Sequence, residues 1–199
     1  MIRQKKNRQN VQKESKKIAL VGTKKGVGVT HIGIILAEFL NENIGANVAF
    51  IEKNHHGHFQ KIEQEIFAYS RSVFPFHGVD YYKEIEYEKI GDMVQNSYEY
   101  LILDFGVQKK KNQEEIEQCD EKILVGNLNF WEWQEYMQAV YHFKKGFSGQ
   151  SKKYVVNFGN EKMINRMRKI LKAKIYFLGY QPIGLAISKN IEEFFLTLL

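Results

Sequence analysis

The chain has 199 residues, enough for one well-buried domain and short for two. Hydrophobic residues make up 44%, aromatics 14% and charged residues 26%, which excludes a disordered or collagen-like chain. The single cysteine, Cys119, and the lack of zinc-type Cys/His spacings exclude disulfide and structural-zinc frameworks and predict a reducing, cytoplasmic setting. No apolar run approaches the ~20 residues that span a bilayer, and the first residues lack the apolar stretch of a secretory signal.

Charge is uneven along the chain. Arg3, Lys5, Lys6, Arg8, Lys13, Lys16 and Lys17 against Glu14 account for the whole formal net charge of +6, so the body is neutral. Residues 1–16, rich in Gln, Asn and Lys, read as a basic, disordered tail, and residues 17–199 as a single domain. The tail is either a solubilising extension or a weak, sequence-independent contact to nucleic acid or acidic lipid. From there, short apolar runs recur: Ile18–Gly22, Val48–Glu52, Tyr100–Asp104, Lys122–Gly126, Tyr154–Asn157 and Ile175–Leu178 are strand candidates. Between and after them, helices are predicted over Thr30–Asn43, Phe59–Ser70, Tyr87–Asn96, Gln113–Cys119, Trp131–Lys145, Lys162–Lys172 and Ile191–Leu199. The aromatic stretch Val73–Tyr82 reads as an irregular strand or loop at a sheet edge. The strands lack polar alternation, as strands covered on both faces do, and crossovers of helical length imply parallel pairing. The predicted fold class is α/β, a doubly wound, mostly parallel sheet with helices on both faces.

The strongest motif follows the first strand: Gly22-Thr23-Lys24-Lys25-Gly26-Val27-Gly28-Val29-Thr30-His31, opening into the apolar helix Ile32–Leu40. Glycines let backbone wrap around phosphates, while successive N–H groups and a helix N-terminus supply positive potential. A tight turn with no ligand is the alternative, since turns also need glycine. Asp104 ends a central apolar strand, where parallel sheets place ligands; capping the next helix is its other reading.

These residues resemble the MinD/ParA branch of P-loop ATPases, whose loop reads K-G-G-x-G-K-[ST]. The resemblance implies the P-loop NTPase fold and ATP or ADP with magnesium. It assigns Lys24 as the signature lysine, and Lys25, Gly26, Val27, Gly28, Val29, Thr30 and His31 as the rest of the cofactor loop. Tyr98-Glu99-Tyr100-Leu101-Ile102-Leu103-Asp104 resembles the Y-D-Y-x-x-x-D strand, so Thr30 and Asp104 would sit around the metal. Asp104 and Glu52 are the catalytic candidates, and Tyr154-Val155-Val156-Asn157 resembles the strand whose asparagine meets the adenine edge. Gly179-Tyr180-Gln181-Pro182 resembles the late f-G-x-x-P loop near the base.

The departures carry as much information. Val29 stands where the phosphate-gripping lysine belongs, which removes an interaction realised most fully in the transition state, and Lys25 replaces a glycine. Glu52-Lys53-Asn54 stands where the family carries D-x-D; Glu52 either polarises a water or is an ordinary strand-end carboxylate. The expectation is a degenerate MinD/ParA-like nucleotide-binding protein with weak or absent hydrolysis. It would act through protein partners as a localisation or assembly factor, similar to the TadZ and CpaE type of Flp (Tad) pilus machinery. Alternatives are an active switch ATPase that dimerises on ATP with Lys24 completing the partner's site, a non-specific DNA-binding partitioning-type protein, and a domain that kept the fold without the ligand. The expected localisation is cytoplasmic, with the periphery of the inner membrane as the alternative.

Other signals have plainer readings. His55, His56 and His58 form a solvent-facing loop more readily than a metal site, and the resemblance puts His31 at a second hydroxyl position of the family pattern. Phe130-Trp131-Glu132-Trp133 reads as core packing, or as a protein interface if both tryptophans are exposed. Ile191, Phe194, Phe195 and Leu198 share one helical face, and Glu192 and Glu193 beside them favour a core or partner-binding helix over a membrane anchor.

Overall fold

The computed structural model describes residues 15–83, 97–149, 152–179, 181–183 and 187–199. Among them, eight strands form one sheet in the order β3-β4-β2-β5-β1-β6-β7-β8. The strands are β1 (Lys16–Gly22), β2 (Val48–Glu52), β3 (Val73–Phe76), β4 (Val79–Tyr82), β5 (Tyr100–Val107), β6 (Glu121–Leu128), β7 (Lys152–Gly159) and β8 (Ile175–Phe177). The helices are α1 (Val29–Glu42), α2 (His58–Ile66), α3 (Gln113–Glu117), α4 (Trp133–Gly146), α5 (Glu161–Leu171) and α6 (Lys189–Leu198). Every strand pairing is parallel except that of β3 with β4.

Successive side chains of a strand point to opposite faces, and β1 shows why its sequence lacks alternation. Ile18 and Leu20 join one buried cluster with Ile32, Ile35 and Phe39 of α1 and Phe195 of α6. Ala19 and Val21 join a second with Tyr136, Val140 and Phe143 of α4 and Ile164 and Met167 of α5. Helices therefore cover both faces, and β1 and β5 lie at the centre where the chain turns from one half of the sheet to the other.

Several boundaries move for local reasons. The domain begins before residue 17: Lys16 is the first residue of β1, its N–H bonded to Glu99 O at 2.9 Å, and buried Ser15 donates its hydroxyl to Tyr98 O at 2.6 Å. The rest of the predicted tail, and the helix expected over Tyr87–Asn96, lie outside the described residues. The edge segment Val73–Tyr82 is a regular hairpin. It turns at His77 and Gly78, both at positive φ (47° and 74°), the geometry of tight hairpin turns. Pro75 is tolerated because β3 is the edge strand. Phe74 and Tyr81 are fully buried and stacked with centroids 5.3 Å apart. Helix α2 stops at Ile66 instead of Ser70, because Glu63 draws the following turn back on itself, accepting from the Arg71 N–H at 2.6 Å and the Ser70 hydroxyl at 3.2 Å.

The last helix is a core element. Ile191, Phe195 and Leu198 are buried, and Phe195 stacks on Phe39 with centroids 5.3 Å apart. Among the described residues, no helix is long and apolar enough to cross a membrane.

Candidate functional site

The site forms where β1 ends and α1 begins. Between them residues 23–28 make a loop whose path needs glycine at two places: Gly26 has φ +83° and Gly28 φ +93°, a backbone region that side chains resist. Gly28 is the residue before the first turn of α1, and no side chain caps that turn. The N–H groups of that turn and the helix dipole make a cradle of positive potential for an anion. A cavity of about 280 Å³ opens there, lined by Lys24, Lys25, Gly26, Gly28, Val29, Thr30 and His31 of the loop side. Asp104, Gly106, Val107, His56 and His58 line the other side.

Parallel register brings the far side in. Asp104 of β5 lies beside Leu20 of β1 and Glu52 of β2, so the carboxyl ends of three neighbouring strands meet at the cavity floor. Asp104 is fully buried; its Oδ2 accepts the Thr30 hydroxyl at 2.5 Å and its Oδ1 the Gly106 N–H at 2.8 Å. Burial pushes its carboxyl above the usual aspartate range, while those two hydrogen bonds and the nearby His58 and His56 pull it back. Thr30 Oγ1 also lies 2.9 Å from His58 Nδ1. With the single hydroxyl proton given to Asp104, the imidazole must supply the proton of that second bond.

The segment after β2 is folded over this floor. Lys53 donates its N–H to Asp104 O at 2.8 Å, and Asn54 its side-chain amide to the same carbonyl at 3.0 Å. Asn54 Oδ1 in turn accepts the His56 N–H at 3.0 Å. Buried Glu52 does not line the cavity. Its Oε1 accepts the His58 N–H at 2.8 Å, so the carboxylate expected to polarise a water closes the first turn of α2 instead. His56 and His58 thus reach the cavity, although the sequence pattern predicts a solvent-facing loop. Their signal is positional: they follow the carboxyl end of a strand that sits next to β5.

The remaining predicted residues divide. Lys24 lines the cavity but is bridged to Glu132 at 2.7 Å and Glu135 at 3.3 Å, both from the turn that starts α4. The hydrogen bond it donates to Glu132 holds its ammonium above the usual lysine range, against burial. Lys25 is exposed at the rim. Val29 presents an apolar wall and packs so tightly on Gly22 that a Cβ there would lie 2.8 Å from Val29 Cγ2. Burial lowers the His31 imidazole, with the Gln181 backbone opposing, which favours its neutral form. Val27 is buried and is not part of the lining; its carbonyl accepts the Asn157 amide at 3.3 Å. Asn157, expected at an adenine edge, is itself buried beneath the loop, and a Cβ on Gly28 would run into its amide nitrogen. It holds the loop's shape from below.

No protein-family model matches the chain, and no curated protein matches its sequence. Solved structures do match. A plasmid partition protein of Borrelia burgdorferi bound to AMPPNP aligns with a TM-score of 0.65 at 18% identity, covering 94% of this chain and 100% of that one. The fold is that of the ParA and MinD ATPases. A ParA family ATPase of Chlorobium tepidum aligns with a TM-score of 0.59 at 15% identity, over 85% of this chain and 84% of the other. MinD of Pyrococcus horikoshii complexed with Mg-ADP aligns with a TM-score of 0.64 at 14% identity, over 90% and 86%. In this chain the β1–α1 loop and the end of β5 meet at one cavity.

The side chains around the cavity decide whether magnesium fits. Both oxygens of Asp104 already accept hydrogen bonds, and the Thr30 hydroxyl is engaged by Asp104 on one side and His58 on the other. With Asp104 and His58 both bonded to it, the Thr30 hydroxyl reaches a divalent cation only if the imidazole is displaced, so the residues as arranged do not fit one in that position.

Proposed function

We propose that the chain binds the phosphates of ATP or ADP in the β1–α1 cavity and hydrolyses the triphosphate poorly. The observation that carries this reading is the loop itself, two left-handed glycines leading into an uncapped helix N-terminus over a cavity floored by Thr30 and Asp104. Such a cradle suits polyphosphate whatever its side chains do, because the backbone N–H groups and the helix dipole supply the potential. Proteins of the same fold are bound to AMPPNP and to Mg-ADP.

Poor hydrolysis follows from three side chains. Val29 offers no cation to charge developing on the transferred group, Lys24 is held by Glu132 and Glu135, and Glu52 is engaged by α2. Removing one preorganised charge of this kind typically costs about 10²–10³ in rate. The protein would then act by position, as a localisation or assembly factor of the kind that TadZ and CpaE represent for pilus machinery. A surface for partners lies beside the loop: Phe130 and Trp131 are 69% and 79% exposed in the turn that also carries Glu132. Exposed tryptophan is a frequent anchor at interfaces. Trp133 is partly buried and packs with the core, so the aromatic run is divided between the two roles.

Phosphate release at saturating ATP tests the reading. Wild-type chain is expected to turn over near background, and Val29→Lys to raise the rate at least about tenfold. Brisk wild-type release that disappears in Asp104→Ala would instead establish an active switch ATPase, with Lys25 covering for Val29.

A further inference from the structure

We infer that His58 stands in the place of the metal ion, so that this cavity takes the polyphosphate of ATP or ADP without a divalent cation. The inference rests on the nucleotide reading above and concerns how that same site is completed.

The argument starts from the Thr30 hydroxyl. It has one proton, given to Asp104 Oδ2 at 2.5 Å, and it accepts from His58 Nδ1 at 2.9 Å. Magnesium binds oxygen at about 2.0–2.1 Å, demands near-octahedral geometry and keeps several waters around it. At Thr30 such a shell would have to displace the imidazole. The waters of that shell would also have to share the oxygens of buried Asp104 with the Thr30 hydroxyl on one and the Gly106 N–H, at 2.8 Å, on the other.

The imidazole is not a side chain that swings aside freely. His58 is the first residue of α2, its N–H is fixed by Glu52 at 2.8 Å, and the chain enters the helix through Gly57 at φ +66°. The His56 ring stands against it with centroids 5.4 Å apart. Charge balance for the phosphates then falls to the protein, namely the N–H groups at the start of α1 and the exposed Lys25 at the rim.

Calorimetric titration of the full-length chain with ATP, once in excess EDTA and once in excess magnesium, tests this. The expected result is the same dissociation constant in both, within about twofold, a difference of under ~0.5 kcal/mol. His58→Ala frees the hydroxyl and is expected to bind ATP at least about tenfold more tightly with magnesium than in EDTA. His58→Asn, whose amide N–H can stand where Nδ1 stands, is expected to keep the wild-type indifference. Wild-type binding that is tenfold or more tighter with magnesium overturns the inference and leaves the nucleotide reading intact. So does a folded His58→Ala that stays indifferent. Absence of ATP binding under both conditions overturns the nucleotide reading together with it.

Discussion

Gly26 and Gly28 share a backbone region but not a neighbourhood. Nothing lies within 4 Å of a Cβ built on Gly26, whereas one on Gly28 meets Asn157. Gly26→Ala is therefore expected to cost only the left-handed strain, about 1–2 kcal/mol in urea unfolding. Gly28→Ala should cost about 1–3 kcal/mol more from overpacking. Equal costs would mean that Asn157 does not brace the loop. Asp104 makes a prediction of a different kind. Burial raises its pKa in the folded chain above the ordinary 3.8, so the charged form opposes folding once the pH is above that value. Asp104→Asn removes the charge at the cost of one of the two accepted hydrogen bonds, so its melting temperature relative to the wild type is expected to be more favourable at pH 7 than well below pH 3.8. That advantage should shrink as the pH falls through 3.8 and vanish well below it, where the wild-type carboxyl is neutral in both states. Thr30 and Asp104 are legible in the sequence because each ends or begins an element with strong local signals, a glycine loop and an apolar strand. His58 is not, because only the adjacency of β2 and β5 carries it to the cavity, and strand order is absent from the linear pattern. The role of Asn157 is hidden for a related reason: its partner, the Val27 carbonyl, is 130 residues away.

At the scale of elements, apolar runs without alternation locate the strands on both sides of the centre, since burial on two faces is a property of the strand itself. Element ends are less visible. They depend on single side-chain contacts such as Glu63 with Arg71 and Ser70 after α2, or Ser188, whose Oγ accepts the Ile191 N–H at 3.4 Å and starts α6 two residues earlier than the apolar pattern suggests. The acidic residues of α6 argue for a core helix, and its packing agrees: the face carrying Phe195 lies on α1. Phe195→Ala is accordingly expected to cost about 3–5 kcal/mol, the range for a fully buried aromatic. A loss well below that in denaturant titration would mean that α6 detaches readily, as a reversible anchor would.

For the molecule as a whole, the residues ahead of β1 carry +4 of the formal charge of +6, and the first described strand begins at Lys16. Deleting residues 1–14 is expected to leave the melting temperature unchanged. Any affinity for unrelated DNA should fall, with the salt dependence flattening by about 0.9 in log–log slope for each phosphate that the shortened chain no longer neutralises. A truncated chain that melts earlier would show that those residues pack on the domain. The central claim is the proposal that the cavity between β1 and α1 binds polyphosphate. Isothermal titration of the intact protein with ATP, run beside adenosine as the phosphate-free control, addresses it most directly. The account predicts equimolar ATP binding with a micromolar dissociation constant and no heat from adenosine. A chain that is folded by circular dichroism yet gives no heat with ATP would contradict it.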